Sequence, residues 1–321
     1  MNTTPTAEDR VWAVLAHLSA LSFGMGILLP VIGWSDQRRK SNYASFQCLQ
    51  TLGYQSLGFT VWVLFSLVMI LLSSIIVLAT LKPAAGNSQA SDAFLQPGMI
   101  LLLTVVFGFF ALYFLLPVIG AIACGLGRDF RYPLLGNRLA RYVRYESSQT
   151  SDDQVWLYED HEFRWVAAMG HFSILILLWG MLAPLTAWIL QGRHNPFLKF
   201  QSIQTLVYQV ITTLVYLVGG FLYLFGALFL LAGLGAFGEP RMDSPIQIIN
   251  VIIFGGSLLV SFLLILSVPL LHILGQWAGY RVLKGDHYRY PLIGRLVEKW
   301  TEPDKALVTE DNNLSLKGTP P

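Results

Sequence analysis

Polar and apolar positions follow a long wavelength in this chain. Charged residues are absent from 11–35, 41–81, 93–127, 165–192, 200–238 and 244–280. Each run exceeds the roughly 20 apolar residues with which a helix crosses a bilayer core, so the pattern predicts an all-α integral membrane protein with six apolar helical segments. The polar stretches divide it further: a polar N-terminus at 1–10, a membrane module at 11–145, an acidic linker at 146–163, a second membrane module at 164–301, and a polar tail at 302–321 expected to be disordered. Gly86–Gly98 and Gly235–Pro245 read as variable loops within the modules. The first ten residues lack the basic start and cleavage site of a secretory signal, so the first apolar run is expected to stay in the mature protein.

Sliding the chain against itself shows why two modules are expected. At an offset of 154, 18 of the 46 positions from Arg10 to Gln55 are identical to Arg164–Gln209. His17, Pro30 and Trp34 recur as His171, Pro184 and Trp188, and Phe46, Gln47, Gln50, Thr51, Tyr54 and Gln55 as Phe200, Gln201, Gln204, Thr205, Tyr208 and Gln209. At an offset of 158 a closing block repeats: Gly127, Arg131, Tyr132, Pro133 and Leu134 return as Gly285, Arg289, Tyr290, Pro291 and Leu292. Self-similarity of this kind marks a duplicated structural unit.

The ordered set formed by the His17 segment, Pro30, Trp34 before a basic loop, the Phe46–Gln55 helix start and Tyr132-Pro133 resembles a bacterial multi-pass membrane-protein family of unknown function. That family is distantly related to the membrane subunit of the chloroplast inner-envelope protein translocon. Two departures stand out: members usually have one copy, and a family Asn-Phe-Gln is Gly53-Tyr54-Gln55 here and Val207-Tyr208-Gln209 in the second copy. The resemblance implies a polytopic helical fold and no catalytic residue. Protein transport would follow from it only by analogy of fold.

Composition adds exclusions. With 54% hydrophobic and 12% charged residues and a mean hydropathy of +0.56, a soluble enzyme and intrinsic disorder are ruled out. A net charge of +2 without a basic stripe argues against nucleic acid as a partner. Cys48 and Cys124, both inside apolar runs, read as buried thiols.

Charge also bears on topology, because Lys and Arg near membrane ends stay on the cytoplasmic side. If every apolar run crosses, the 21 Lys and Arg divide almost evenly between the two faces. If the His-bearing segment of each module enters and leaves on one face, all but Lys82 and Arg241 share that face and the modules have one orientation. Hydropathy favours a crossing, since 11–35 and 165–192 are long enough for one. The charge rule takes precedence here, and a re-entrant hairpin in the cell's inner (cytoplasmic) membrane is the favoured reading.

His17 and His171 are the outstanding candidates for chemistry, since an ionisable group in an apolar segment is costly unless it faces protein or water. They could move protons or bind a metal or haem; hydrogen bonding between helices explains them with fewer partners. Gln47, Gln50, Thr51 and Gln55, repeated as Gln201, Gln204, Thr205 and Gln209, fall on one helix face and complete a candidate intramembrane polar site. A second set reads as an interfacial surface for anionic lipid headgroups or other membrane proteins: Arg38, Arg39 and Lys40 beside Trp34 and Tyr43, then Arg131, Tyr132, Arg138 and Arg141, then Arg289, Tyr290 and Arg295. His272 reads as packing or interfacial, and the linker as exposed. No catalytic constellation, metal site or cofactor motif is recognisable, so no enzyme is expected. The leading expectation is a membrane scaffold or accessory protein that assists membrane-protein assembly or translocation. A transporter or channel for a small solute or proton, and a bis-histidine haem protein, stand as alternatives.

Overall fold

A computed structural model describes residues 4–81, 88–146, 156–233 and 245–301, and those residues are helical throughout their regular structure. Module 1 contains α1 (Ala7–Ser19), α2 (Leu28–Gln37), α3 (Asn42–Leu81), α4 (Ser88–Gly125) and α5 (Gly136–Val143). Module 2 repeats the order with α6 (Glu159–Phe172), α7 (Leu182–Gln191), α8 (Pro196–Gly233), α9 (Pro245–Leu283) and α10 (Ile293–Thr301). The local signals are plain. Thr6 and Asp9 form a capping box at the start of α1, and Asn195 caps α8 ahead of Pro196. The expected loop at Gly86–Gly98 is shorter than read, because α4 already begins at Ser88. Residues 147–155 of the linker, the 235–244 stretch and the 302–321 tail lie outside the described residues.

Among the described residues, five stretches are long and apolar enough to span a membrane, Glu159–Gln191 among them. That stretch nevertheless turns back on itself. Its 3-10 segment (Ser173–Met181) breaks at Leu177, which has φ +51°, and the equivalent Phe23 has φ +45° at the turn between α1 and α2. The arms then run antiparallel: Gln37 at the end of α2 donates to Glu8 at the start of α1, at 3.0 Å. In module 2 one guanidinium, that of Arg38, reaches Glu159 at the start of α6 (2.8 Å) and Gln191 at the end of α7 (3.1 Å). Gly26 and Gly180 permit the tight apex, since a Cβ on either would collide with the Ser19 or Ser173 carbonyl. The six apolar segments are thus four long helices and two hairpins, and the bases of both hairpins lie on one face, called the near face below.

The apices stop level with the middle of the spanning helices. Phe23 packs against Phe59 (ring centroids 5.6 Å apart), midway along the Asn42–Ile75 span, and against Phe114 (6.0 Å), midway along Ile100–Gly125. Beyond that level α3 is exposed on nearly every side, with Leu64, Leu67, Ile70 and Leu71 each more than half accessible, as suits a helix surrounded by lipid.

Packing between the modules is asymmetric. The α6–α7 hairpin docks on α2 and α3, so that Trp165 Nε1 donates to the Leu49 carbonyl at 2.9 Å and lies over Gly53, where a Cβ would stand 2.5 Å from its ring. The corresponding residue of the first hairpin, Val11, is 55% exposed.

Candidate functional site

The polar stripe on α3 faces α1 and the loop after α4, and there it meets His17. Gln47 fixes the chemistry. Its amide nitrogen donates to Asp129 Oδ1 (3.0 Å) and to the Phe130 carbonyl (3.1 Å), which leaves its Oε1 turned to His17 Nε2 at 3.0 Å. An amide oxygen only accepts, so Nε2 carries the proton and Nδ1 is left to accept from the Tyr132 hydroxyl at 2.8 Å. Both nitrogens of the imidazole are thus engaged. Gln50 donates to the Phe130 carbonyl at 2.7 Å and to Gln47, and accepts from the Tyr132 N–H at 3.3 Å. Thr51 returns its hydroxyl proton to the Gln47 carbonyl at 2.8 Å and lies 3.3 Å from His17 Nδ1. One turn deeper, Gln55 donates to Ser19 Oγ at 2.9 Å, and Ser19 to the Ala16 carbonyl at 2.6 Å. Tyr54 covers Tyr132 in a parallel stack at 4.1 Å.

Module 2 builds the same staple from the repeated residues. His171 Nε2 meets Gln201 Oε1 and its Nδ1 meets the Tyr290 hydroxyl, both at 3.0 Å. Gln201 and Gln204 donate to the Tyr288 carbonyl at 3.1 and 2.8 Å, Thr205 stands 2.9 Å from the imidazole Nδ1, and Gln209 donates to the Gly170 carbonyl at 2.9 Å. Tyr208 stacks on Tyr290 at 4.0 Å. The candidate residues on each stripe are thus brought together, and they tie three separate pieces of each module to one another.

Several residues read as interfacial lie elsewhere. Tyr132 and Tyr290 are buried partners of the histidines, since each aromatic ring is closed in by its stacked tyrosine. Trp34 is fully buried and meets Phe163 edge-on at 5.7 Å, because the second hairpin covers it. Arg38 is buried between the modules, over the Phe163 ring, with Glu159 at 2.8 Å and Glu162 at 3.5 Å. One linker residue read as exposed differs likewise: Leu157 is buried, while Glu159, the first residue of α6, is exposed. His272 packs, with the Tyr216 hydroxyl at 2.5 Å.

The remaining cations line the near face. Arg39 pairs with Glu159, and Lys40 with Asp36 at 2.7 Å, while Arg138, Arg141 and Arg295 are exposed. Arg131 pairs with Asp129 at 3.1 Å and Arg289 with Glu298 at 3.0 Å. Burial pushes the Asp129 carboxyl above its usual range, against the pull of Arg131. Asp129 and Glu162 are site residues that the sequence reading passed over. Glu162 had a signal, since it aligns with Glu8 while Arg38 aligns with Gly192.

Among the described residues no group of His, Cys, Asp and Glu is arranged to hold a metal ion. Compared with known proteins, the chain matches one family model twice, over residues 8–139 and again over 162–297; its description is a magnetosome magnetite crystal formation protein family. The chain belongs to that family. Its two matches fall on the two modules and carry a His17-type staple each, so this member is a tandem of the family unit and a multi-pass membrane protein. No curated protein and no solved structure matches the chain. The distant translocon likeness drawn from the sequence motifs finds no support in these comparisons.

Proposed function

We propose that the protein is a non-catalytic membrane scaffold or accessory protein that serves magnetite crystal formation from the cell's inner membrane or a membrane derived from it. The observation that carries this reading is the closure of the polar interior. In both modules the histidine is bonded to its glutamine and tyrosine, and the stripe residues bond one another and backbone carbonyls, with the buried Oε1 atoms of Gln55 and Gln209 left without a partner at the deep end. Such contacts fix helices in a bilayer. A haem ligand would need an imidazole nitrogen released from its partner, and a proton relay would need a continuous chain of donors and acceptors reaching both faces of the membrane. What remains for outside partners is the basic near face, with Arg138, Arg141 and Arg295 exposed, and the lipid-facing helices. Anionic headgroups are the expected lipid partners of that face, each suitably placed cation contributing on the order of 1 kcal/mol.

Two linked measurements test this reading. Crosslinking from the near face in native membranes should recover the same neighbouring membrane proteins repeatedly, and deleting the gene should change crystal size or number. Recovery of the protein only as itself, with crystals unchanged, would overturn the proposal.

A further inference from the structure

We infer that this protein is a one-sided wedge that partitions to, and supports, a bilayer whose near leaflet is convex. The inference stands on the fold and on lipid as its surroundings, independently of any role in crystal formation.

The two halves of the membrane-embedded structure hold different amounts of protein. Among the described residues, α1, α2, α6 and α7 stand beside the four long helices in the near half, and in the far half only α3, α4, α8 and α9 continue. The depth of the hairpins is fixed by their neighbours. Arg10 lies against Gly127 just past the end of α4 and Phe23 against Phe114, so the first hairpin follows α4 for about 13 residues, or about 20 Å at 1.5 Å per residue. In module 2, Arg164 lies against Gly285, Phe172 against Gly279 and Ile174 against Gly275, and the turn at Leu177 ends the descent. Gln209, which meets Ser173 beside that turn, is near the middle of the Pro196–Ala232 span.

The apices are made for lipid. Phe23 is 46% exposed, and Met25, Leu177, Leu178 and Trp179 are exposed beside it, whereas the bases carry Glu8, Gln37, Arg38 and Glu159. The hairpins therefore have a wet end and a dry end, and the dry end stops in mid-bilayer. Each arm is a rod about 10 Å across with its side chains. Four such rods displace lipid from one leaflet and none from the other. A convex leaflet has more area at its headgroups than at its mid-plane, and an inclusion broad on that side fills the difference. Insertions confined to one leaflet are sensitive to curvature for this reason.

Two further features widen the same end. Leu134 and Leu292, at equivalent places after the Tyr-Pro pair, are held at φ +64° and +66° and are 82% and 83% exposed. A left-handed leucine is strained, and its recurrence in both modules fits a side chain set out into the apolar edge of the near leaflet. The short helix α10 adds exposed Leu296 and Trp300 beside Arg295 and Lys299.

The test uses the full chain carrying Ser147→Cys, labelled with a fluorophore; Cys48 and Cys124 are buried and stay unlabelled. The protein is reconstituted into mixed small and large unilamellar vesicles with a fluorescent lipid, and the protein-to-lipid ratio is read vesicle by vesicle. A membrane-impermeant quencher then reports which way the linker faces. The wedge predicts a severalfold higher protein density on the smallest vesicles, with the linker facing outward on most of them. A density independent of vesicle diameter, or an inward-facing linker on the small vesicles, would overturn it.

Discussion

The two modules share a histidine staple and differ at the surfaces where they meet. In module 1 the staple is capped by a carboxylate, Asp129, where module 2 has His287. Phe46 is covered by Tyr145 in a parallel stack at 4.0 Å, while the matching Phe200 is covered by His287 at 4.7 Å. Arg38 reaches across to Glu159 and Glu162, but its counterpart Gly192 offers nothing to Glu8. Trp165 fills the space over Gly53, whereas their counterparts, Val11 and Val207, are both medium-sized. The hydrogen-bonded interior of the unit has been kept in both copies, while several residues where one copy grips the other differ. A duplicated unit that packed with twofold symmetry would keep both surfaces equivalent. Here the second hairpin is buried on the first module while the first hairpin keeps Val11, Leu15 and Leu18 towards lipid.

The largest expected effect comes from breaking the grip. Arg38→Ala leaves Glu162, which is 2% exposed, without its cation, and removing one member of a buried pair costs about 3–5 kcal/mol. Thermal unfolding in detergent should show this loss, and Arg38→Met combined with Glu162→Gln should restore most of it. Next come the staples. His17→Leu and His171→Leu each leave a tyrosine hydroxyl and an amide oxygen short of a partner, costing about 1–3 kcal/mol by the same assay. The two losses should be alike, and a large inequality would mean that one staple is dispensable.

Size complementarity at the interface gives a sharper contrast. Gly53→Val forces the Trp165 ring aside and should cost about 1–3 kcal/mol through overpacking, a loss that Trp165→Val should relieve in the double variant. The smallest effect is expected at Arg39. Its ion pair with Glu159 is half-exposed, so Arg39→Ala should change stability by less than about 1 kcal/mol. An Arg39→Ala loss as large as that of Arg38→Ala would show that burial does not distinguish them.

Much of this was legible in the sequence, and the reasons are particular. The stripe from Gln47 to Gln55 keeps helical spacing, so its residues share a face whatever they pack against. The equivalence of His17 and His171 follows from identity at a fixed offset. The histidines' tyrosine partners could not be read that way, because Tyr132 lies 115 residues from His17 and only the fold brings them together. Arg38 and Trp34 have the composition of an interfacial anchor; they are buried because a hairpin from the other module covers them. Hydropathy could not separate a crossing from a hairpin. Phe23, Leu177 and Leu178 are as apolar at a turn level with the middle of the long helices as they would be inside a spanning helix. The distribution of Lys and Arg carried that information, since it records which loops stay on one side.

Each His-bearing segment enters and leaves on the near face, and every other feature of the topology depends on that. Thiol accessibility tests it most directly, with Ala7→Cys and Ser147→Cys introduced singly beside the buried Cys48 and Cys124. The same impermeant reagent, applied to intact cells and to inverted membrane vesicles, should label both positions from the cytoplasmic side. Labelling of the two positions from opposite sides of the membrane would mean that module 1 crosses an odd number of times, and would contradict the hairpin.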